Sequence, residues 1–370
     1  MIDPRQYWVG FNLVKGIGAA RLRALLDFFG DAAVAWQAPP DALRAAGLGP
    51  KVLESLLKVR AQVSLDQVWE HIQAQGITIL TWDDEGYPRY LKEIDQPPPV
   101  LYLLGEFNPV DEWAVAIVGT RRVTAYGRQV TQQVACTLAR HGVTVVSGLA
   151  RGVDAAAHEA ALNAGGRTMA VLGSGVDRIY PPENRQLANR IRGQGAVLSD
   201  YAPGTPPDAI NFPPRNRIIS GLARAVVVVE AGETSGALIT ATFAVDQGRE
   251  VFAVPGHILS PQSKGTNRLI QQGARPLLDC EELLENLNLA LAGEQQAVRA
   301  VLPGDATEAA LFALLGNEPM HVDEIRAQAD LPIEKVSATL ALMELKGLVR
   351  QLGGMQYVAV REPGNEYETG

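Results

Sequence analysis

The chain has 370 residues, 47% of them hydrophobic and 20% charged, with a formal net charge of −8. This length predicts about two or three domains rather than one core. It has no apolar run of the ~18 residues that a membrane span needs. It also lacks a basic-then-apolar leader, so a cytoplasmic location is expected. Its only cysteines, Cys136 and Cys280, are too few for a disulfide framework or a four-cysteine zinc site.

Residues 1–62 read as a small helical domain. Val14-Lys15-Gly16-Ile17-Gly18 and Ala46-Gly47-Leu48-Gly49 each lie between helical patterns. Such Gly-apolar-Gly turns resemble the helix-hairpin-helix, SAM-like modules whose turn amides hold a DNA phosphate. Lys15, Arg21, Arg23 and Lys51 are compatible with that use, although two ordinary turns in a small helical bundle account for the pattern more simply. Residues 63–108 form a connector, with a helix over 68–75 and strands at 77–81 and 100–104. Pro97-Pro98-Pro99 interrupts any helix between them, because proline removes a donor and clashes with the preceding turn. This segment is expected to pack against the main sheet at an edge.

Residues 109–291 carry a regular alternation. Apolar runs at 114–118, 143–146, 169–172, 226–229 and 251–254 stop at glycine-rich segments, and Gly195–Ser199 adds a further strand. Runs this short and apolar suit strands buried on both faces of a parallel sheet, with helices on each side. Helices are expected over 125–141, 154–163 and up to 192, and again from Phe212 and from Ser235. Ligands of such sheets bind at the carboxyl ends of the strands. Here those ends carry glycine, arginine and small hydroxyl residues, the chemistry of a phosphate-binding crevice.

From Gly119 to Ala225 there are thirteen arginines, no lysine and six acidic residues, so this stretch is positive within an acidic chain. One anion-binding face accounts for the asymmetry, and so does a set of solvated helix faces. Arg215 and Arg217 flank Asn216 just inside a helix opened by proline, where their charge opposes the helix dipole. A bound anion would relieve that, as would ion pairs to Asp200 or Glu230. Asp154 and His158 share a helix face, but with no third ligand in view a structural hydrogen bond outweighs a metal site. Gly173-x-Gly175 is followed by Arg178 where a dinucleotide fingerprint needs glycine, and no P-loop is present. The remaining enzymatic reading is a nucleotide N-glycosidase-like site built on Glu230 at a strand end. Tyr180 and Phe212 are the aromatics available for base stacking, with Phe212 better suited to core packing.

Residues 292–306 read as a linker and 307–361 as a winged helix-turn-helix of three helices and a hairpin about Gly353-Gly354. Residues 362–370 form a tail expected to be disordered. Between Asp305 and Arg361 there are five basic and eight acidic residues, a poor balance for phosphate. A protein contact suits this module better than DNA.

Taken together, several motifs resemble the bacterial DNA-processing protein A (DprA, or Smf) family. They are Gly119-Thr120-Arg121, Ser147-Gly148-Leu149-Ala150-Arg151-Gly152-Val153-Asp154, Tyr180-Pro181-Pro182-Glu183-Asn184, Phe212-Pro213-Pro214-Arg215-Asn216-Arg217, Val229-Glu230-Ala231 and Val254-Pro255-Gly256. The match runs in order over about 150 residues, and the flanking modules fit it. The resemblance implies an extended Rossmann-like sheet that binds single-stranded DNA rather than a dinucleotide. It implies a mediator of natural transformation (competence) that protects incoming strands. Such a mediator loads a RecA-type recombinase onto DNA coated with single-strand binding protein, without being an enzyme or needing a cofactor or metal. Carried onto this chain, Gly119, Thr120, Arg121, Arg151 and Asn216 would belong to the DNA site. Arg121 would contact a phosphate, Gly148 and Gly152 would let the strand approach, and Arg215 and Arg217 would line one pocket. Arg178 and Arg185 follow with looser alignment. The family forms homodimers through this domain, and the helix around Leu269 and Ile270 is the expected contact.

Overall fold

Strand alternation explains how one sheet takes two coats of helices. In the strand Ala114–Val118, Val115 and Ile117 point to one hydrophobic layer, and Ala116 and Val118 to the other. The computed structural model describes residues 3–286, 306–316, 319–329, 331–345, 349–352 and 355–359, and the chain divides into two compact units, Met1–Ala290 and Leu291–Gly370. The expected linker, the Gly353-Gly354 turn and the C-terminal tail fall largely or wholly outside the described residues.

The first unit opens with six helices: α1 (Arg5–Asn12), α2 (Ala19–Phe29), α3 (Ala32–Gln37), α4 (Pro40–Ala45), α5 (Pro50–Gln62) and α6 (Leu65–Ala74). The two Gly-apolar-Gly turns join α1 to α2 and α4 to α5. Phe11, Leu22, Leu25, Leu43 and Leu56 are buried in a core continuous with one face of the sheet. The connector contributes β1 (Thr78–Thr81), α7 (Arg89–Lys92) and β2 (Val100–Gly105). Its strands form the antiparallel edge, β1 on β2 and β2 on β6 (Gly195–Ser199).

The remaining elements alternate: β3 (Ala114–Val118), α8 (Ala125–Arg140), β4 (Thr144–Ser147), α9 (Val153–Asn163), β5 (Thr168–Val171), α10 (Arg185–Gln194), then β6. They continue with α11 (Phe212–Gly221), β7 (Ala225–Val228), α12 (Gly236–Asp246), β8 (Glu250–Ala253), α13 (Lys264–Gln271), β9 (Arg275–Pro276) and α14 (Cys280–Asn286). The nine-stranded order is β1-β2-β6-β5-β4-β3-β7-β8-β9, and every pairing from β6 to β9 is parallel. Helices α8, α9 and α14 cover one face; α10, α11, α12 and the N-terminal helices cover the other. From β3 the chain steps outward to β6, then returns to β7 on the opposite side of β3. A crevice therefore opens beyond the carboxyl ends of β3 and β7.

The second unit contains α15 (Ala306–Leu314), β10 (Met320–His321), α16 (Val322–Ala329), α17 (Ile333–Leu345), β11 (Val349–Gln351) and β12 (Gln356–Ala359). Its sheet order is β10-β12-β11, over a core including Leu311, Ile325, Val336, Leu340 and Met343. This is a winged helix, with a short β10 that the sequence pattern did not suggest. Among the described residues no helix is long and apolar enough to cross a membrane.

Candidate nucleic-acid interface

A cleft of about 710 Å³ occupies the predicted crevice. One wall is the turn after β3, Gly119-Thr120-Arg121-Arg122. The Thr120 amide donates to the Glu230 carbonyl at 2.7 Å, and the Thr120 hydroxyl accepts from the Arg122 amide at 3.1 Å, which fixes the turn. Arg121 and Arg122 are exposed, and neither guanidinium has a hydrogen bond or ion pair among the described residues. Arg122 lines the cleft beside Arg121, a placement that its adjacent position in the turn already hinted at. Opposite lie Phe212 and Tyr180, whose ring centroids are 5.7 Å apart, and the Arg121 guanidinium stands 5.8 Å from the Phe212 ring. Phe212 therefore lines the cleft, half-buried, instead of joining the core: the Asn211-Phe212 segment lies across Gly173, which has no side chain to hold it off.

Arg215 is buried beneath the cleft. Its Nη1 donates to the Gly148 carbonyl at 3.0 Å and to the Val171 carbonyl, and its Nε to Asn216 Oδ1 at 3.3 Å. Burial pushes its pKa down to about 10, with neighbouring Asp154 acting in the opposite direction. Asp154 is buried too, which raises its pKa, and its Oδ2 accepts from the Ala150 amide at 3.3 Å. The glycines at these strand ends are needed by this packing. A Cβ on Gly148 would lie 2.8 Å from both Arg215 Nη2 and Asp154 Oδ2. Gly152 has a φ of +79°, and a Cβ there would overlap the Thr120 carbonyl oxygen. The space that the resemblance assigns to an approaching strand is thus filled by the protein's own groups at both positions.

Arg215 and Arg217 do not share a pocket. Two residues along an α-helix subtend roughly 200°, so Arg217 emerges on the other side of α11. There Nη2 pairs with Asp200 at 2.9 Å, Nε donates to the Gln96 carbonyl at 3.1 Å and Nη1 to Pro214 at 3.0 Å. Arg217 instead lines a smaller cavity with Asp200, Lys15 and the Gly16-Ile17-Gly18 turn. Asn216 remains with Arg215 in the main cleft, where its Nδ2 donates to the Gly236 carbonyl at 3.2 Å and ties α11 to the start of α12. Arg151 is exposed and paired with Glu183, whose carboxylate raises the arginine's pKa through a side-chain hydrogen bond and is itself held below its ordinary value. Arg178 is exposed and 3.3 Å from Asp177. Arg185 is exposed at the start of α10 without an ion-pair partner among the described residues.

Glu230, the enzymatic candidate, is buried and does not line the cleft. Its two oxygens accept from the Thr124 amide at 2.9 Å and the Thr124 hydroxyl at 2.6 Å, anchoring the N-terminus of α8. His158 bonds Thr168 rather than Asp154, at 2.6 Å through Nδ1; Thr168 gives its own proton to the Val145 carbonyl, so Nδ1 carries hydrogen. Burial holds the imidazole neutral, with a pKa of about 3. Leu269 and Ile270 lie half-buried on α13, Leu269 packed against the core. The β7–α12 loop completes the cleft with Gly232, Thr234 and Ser235, followed by Gly236 and Thr240 on α12.

Residues 78–288 match the family model described as DNA recombination-mediator protein A, and residues 295–355 match the DprA winged helix domain. The Protein Smf of Synechocystis sp. is 39% identical, over 96% of this chain and 98% of its own length. The DNA processing protein DprA of Bacillus subtilis is 42% identical, over 67% of this chain and 82% of its own. Among solved structures, DNA processing protein A from Streptococcus pneumoniae aligns with a TM-score of 0.68 at 34% identity, covering 76% of this chain and 97% of that one. The Helicobacter pylori protein of that name, described for its single-stranded DNA binding mode, aligns with a TM-score of 0.52 at 32% identity, covering 57% and 95%. With over half its length inside one family model and a relative matched nearly end to end, the chain belongs to the DprA/Smf family of DNA recombination mediators.

Proposed function

We propose that this protein binds single-stranded DNA in the β3–β7 cleft and mediates natural transformation from there. In this reading it protects incoming strands and loads a RecA-type recombinase onto DNA otherwise covered by single-strand binding protein. The observation that carries the reading is the pairing of two unneutralised guanidinium groups, Arg121 and Arg122, with the aromatic wall of Tyr180 and Phe212. A cationic rim beside stacking surfaces suits an unpaired strand, whose bases are available, better than a duplex. The description of the Helicobacter pylori relative supports the same ligand. The acidic winged helix fits a protein partner better than DNA, and α13 around Leu269 and Ile270 is the proposed homodimer contact in a cytoplasmic protein.

The test is equilibrium binding of the full chain to a fluorescent poly-dT strand and to a duplex of equal length, across a salt series. Tight, salt-dependent binding with clear preference for the single strand is expected. Equal weak binding to both, or none, would overturn the assignment of the cleft.

A further inference from the structure

The smaller cavity, of about 410 Å³, lies between the α1–α2 turn and the loop after β6, away from the β3–β7 cleft. On its first wall the Ile17 amide is spent on the Val14 carbonyl, and Arg21 Nη1 covers the Gly16 carbonyl at 2.6 Å. The amides of Gly18 and Ala19 are left without a hydrogen bond among the described residues, and no side chain caps α2. The exposed Lys15 ammonium lines the same wall and has no partner among the described residues. Uncapped helix amides beside an ammonium hold a phosphate.

The facing wall needs a donor instead. Asp200 follows β6 directly, and its Oδ2 pairs with Arg217 Nη2 at 2.9 Å, so its charge is met. Its Oδ1 is buried and has no hydrogen-bond partner. The nearby donors are spent on backbone: Asn12 Nδ2 on the Asp200 carbonyl at 3.2 Å, Arg217 Nε and Nη1 on the Gln96 and Pro214 carbonyls. A buried acceptor left unmet is costly until a donor reaches it. A fully ionised phosphate has no proton to give, so a ligand that meets both walls carries a hydroxyl besides its phosphate. A carboxylate just past a parallel strand is the group that takes a sugar hydroxyl in nucleotide-binding α/β folds. Tyr201 and Pro99 add half-buried apolar surface, and the volume falls within the ~300–1,000 Å³ of small-ligand sites. We propose that this cavity is a second site, for a single nucleotide. Its phosphate sits on the Gly18 and Ala19 amides with Lys15, and its free sugar hydroxyl donates to Asp200 Oδ1. The site stands independently of strand binding in the β3–β7 cleft. Its nucleotide has two sources, a free nucleoside monophosphate or the 3′-terminal residue of a strand.

The experiment is equilibrium dialysis of the full chain against radiolabelled deoxythymidine monophosphate and its 2′,3′-dideoxy analogue, with wild type, Lys15→Met and Arg121→Ala. Lys15 is exposed and unpaired, so its replacement leaves the fold intact. Wild type should bind the monophosphate, and Lys15→Met should lose about tenfold. The dideoxy analogue, which lacks the hydroxyl, should bind wild type about five- to tenfold more weakly. Arg121→Ala should bind the monophosphate as wild type does, because Arg121 belongs to the other cleft. Unlabelled dT strands then identify the source. Displacement by a strand with a 3′-hydroxyl and not by one ending in dideoxythymidine assigns the site to strand ends, and displacement by neither assigns it to the free nucleotide. Equal displacement by both strands, loss of binding in Arg121→Ala, or equal binding by Lys15→Met and wild type would overturn the second site. So would equal affinity for the dideoxy analogue, or no binding of the monophosphate by wild type.

Discussion

The guanidinium of Arg215 occupies the space that a side chain on Gly148 would need. Nη1 donates to the Gly148 carbonyl at 3.0 Å, and a Cβ on that glycine would stand 2.8 Å from Nη2. Asp154 closes the assembly from the other side, so three residues that look separate in the sequence form one buried unit under the cleft. Arg215→Met should leave the Gly148 and Val171 carbonyls without their buried donor, at a cost of about 1–3 kcal/mol. The five tryptophans all precede residue 114, so urea unfolding followed by their fluorescence reports on the first unit. A loss below about 1 kcal/mol would contradict a structural role for these hydrogen bonds.

Gly148→Ala tests the same assembly from the backbone side. The added methyl must push against Arg215 and Asp154, which are themselves hydrogen-bonded and have little room to yield. Overpacking of this kind costs about 1–3 kcal/mol. The same urea series measures it, and an unchanged midpoint would show that the guanidinium can move aside.

Arg121 and Arg217 should separate binding from stability. Arg121 is exposed and unpaired, so Arg121→Ala should weaken dT-strand affinity by about 1–3 kcal/mol and flatten the salt slope by roughly 0.7, the value for one phosphate contact on a single strand. Its unfolding midpoint should stay put. Arg217 pairs with Asp200, and both side chains are mostly buried at 16% and 14% exposure. Arg217→Ala should therefore destabilise by about 1–3 kcal/mol, because Asp200 loses its partner, and leave the salt slope unchanged. The opposite pattern would exchange their roles.

That contrast marks where sequence reading stops. The strand ends at Gly119, Gly148 and Gly173 were legible because buried parallel strands are short apolar runs with abrupt stops. The start of α11 was legible from its proline-rich opening. Which arginine faces the cleft was not, because the two differ by a half-turn whose outcome depends on where Asp200 and the Val171 carbonyl lie in space. β9 is only Arg275–Pro276, too short and polar to read as a strand. Thr240, set among Ala237, Leu238, Ile239 and Ala241, looks like core but lines the cleft.

Glu230→Gln distinguishes an anchor from a catalyst. The carboxylate accepts twice from Thr124 at the N-terminus of α8, where negative charge is favoured by the helix dipole. Replacing it with an amide keeps the shape but removes the charge and one acceptor, at a cost of about 1–2 kcal/mol. Single-strand affinity should not change, and neither form should turn over nucleoside monophosphates. Turnover by wild type that the variant abolishes would return Glu230 to the enzymatic reading.

His158 should shape the acid limb of stability. Its pKa falls from 6.5 to about 3 on burial in the folded chain. Between those values the unfolded chain binds the extra proton and the folded chain does not, so stability falls as pH drops below about 6.5. The slope from one such group approaches about 1.4 kcal/mol per pH unit and vanishes above that window. Asp154, raised by the same burial, acts in reverse: between 3.8 and its raised value the folded chain holds the extra proton, which flattens the limb. His158→Gln removes the imidazole's share, so unfolding free energies of variant and wild type should converge in slope above pH 7 and separate between pH 5.5 and 6.5. Parallel curves throughout that window would mean that His158 binds its proton equally in both states and would overturn the effect of its burial.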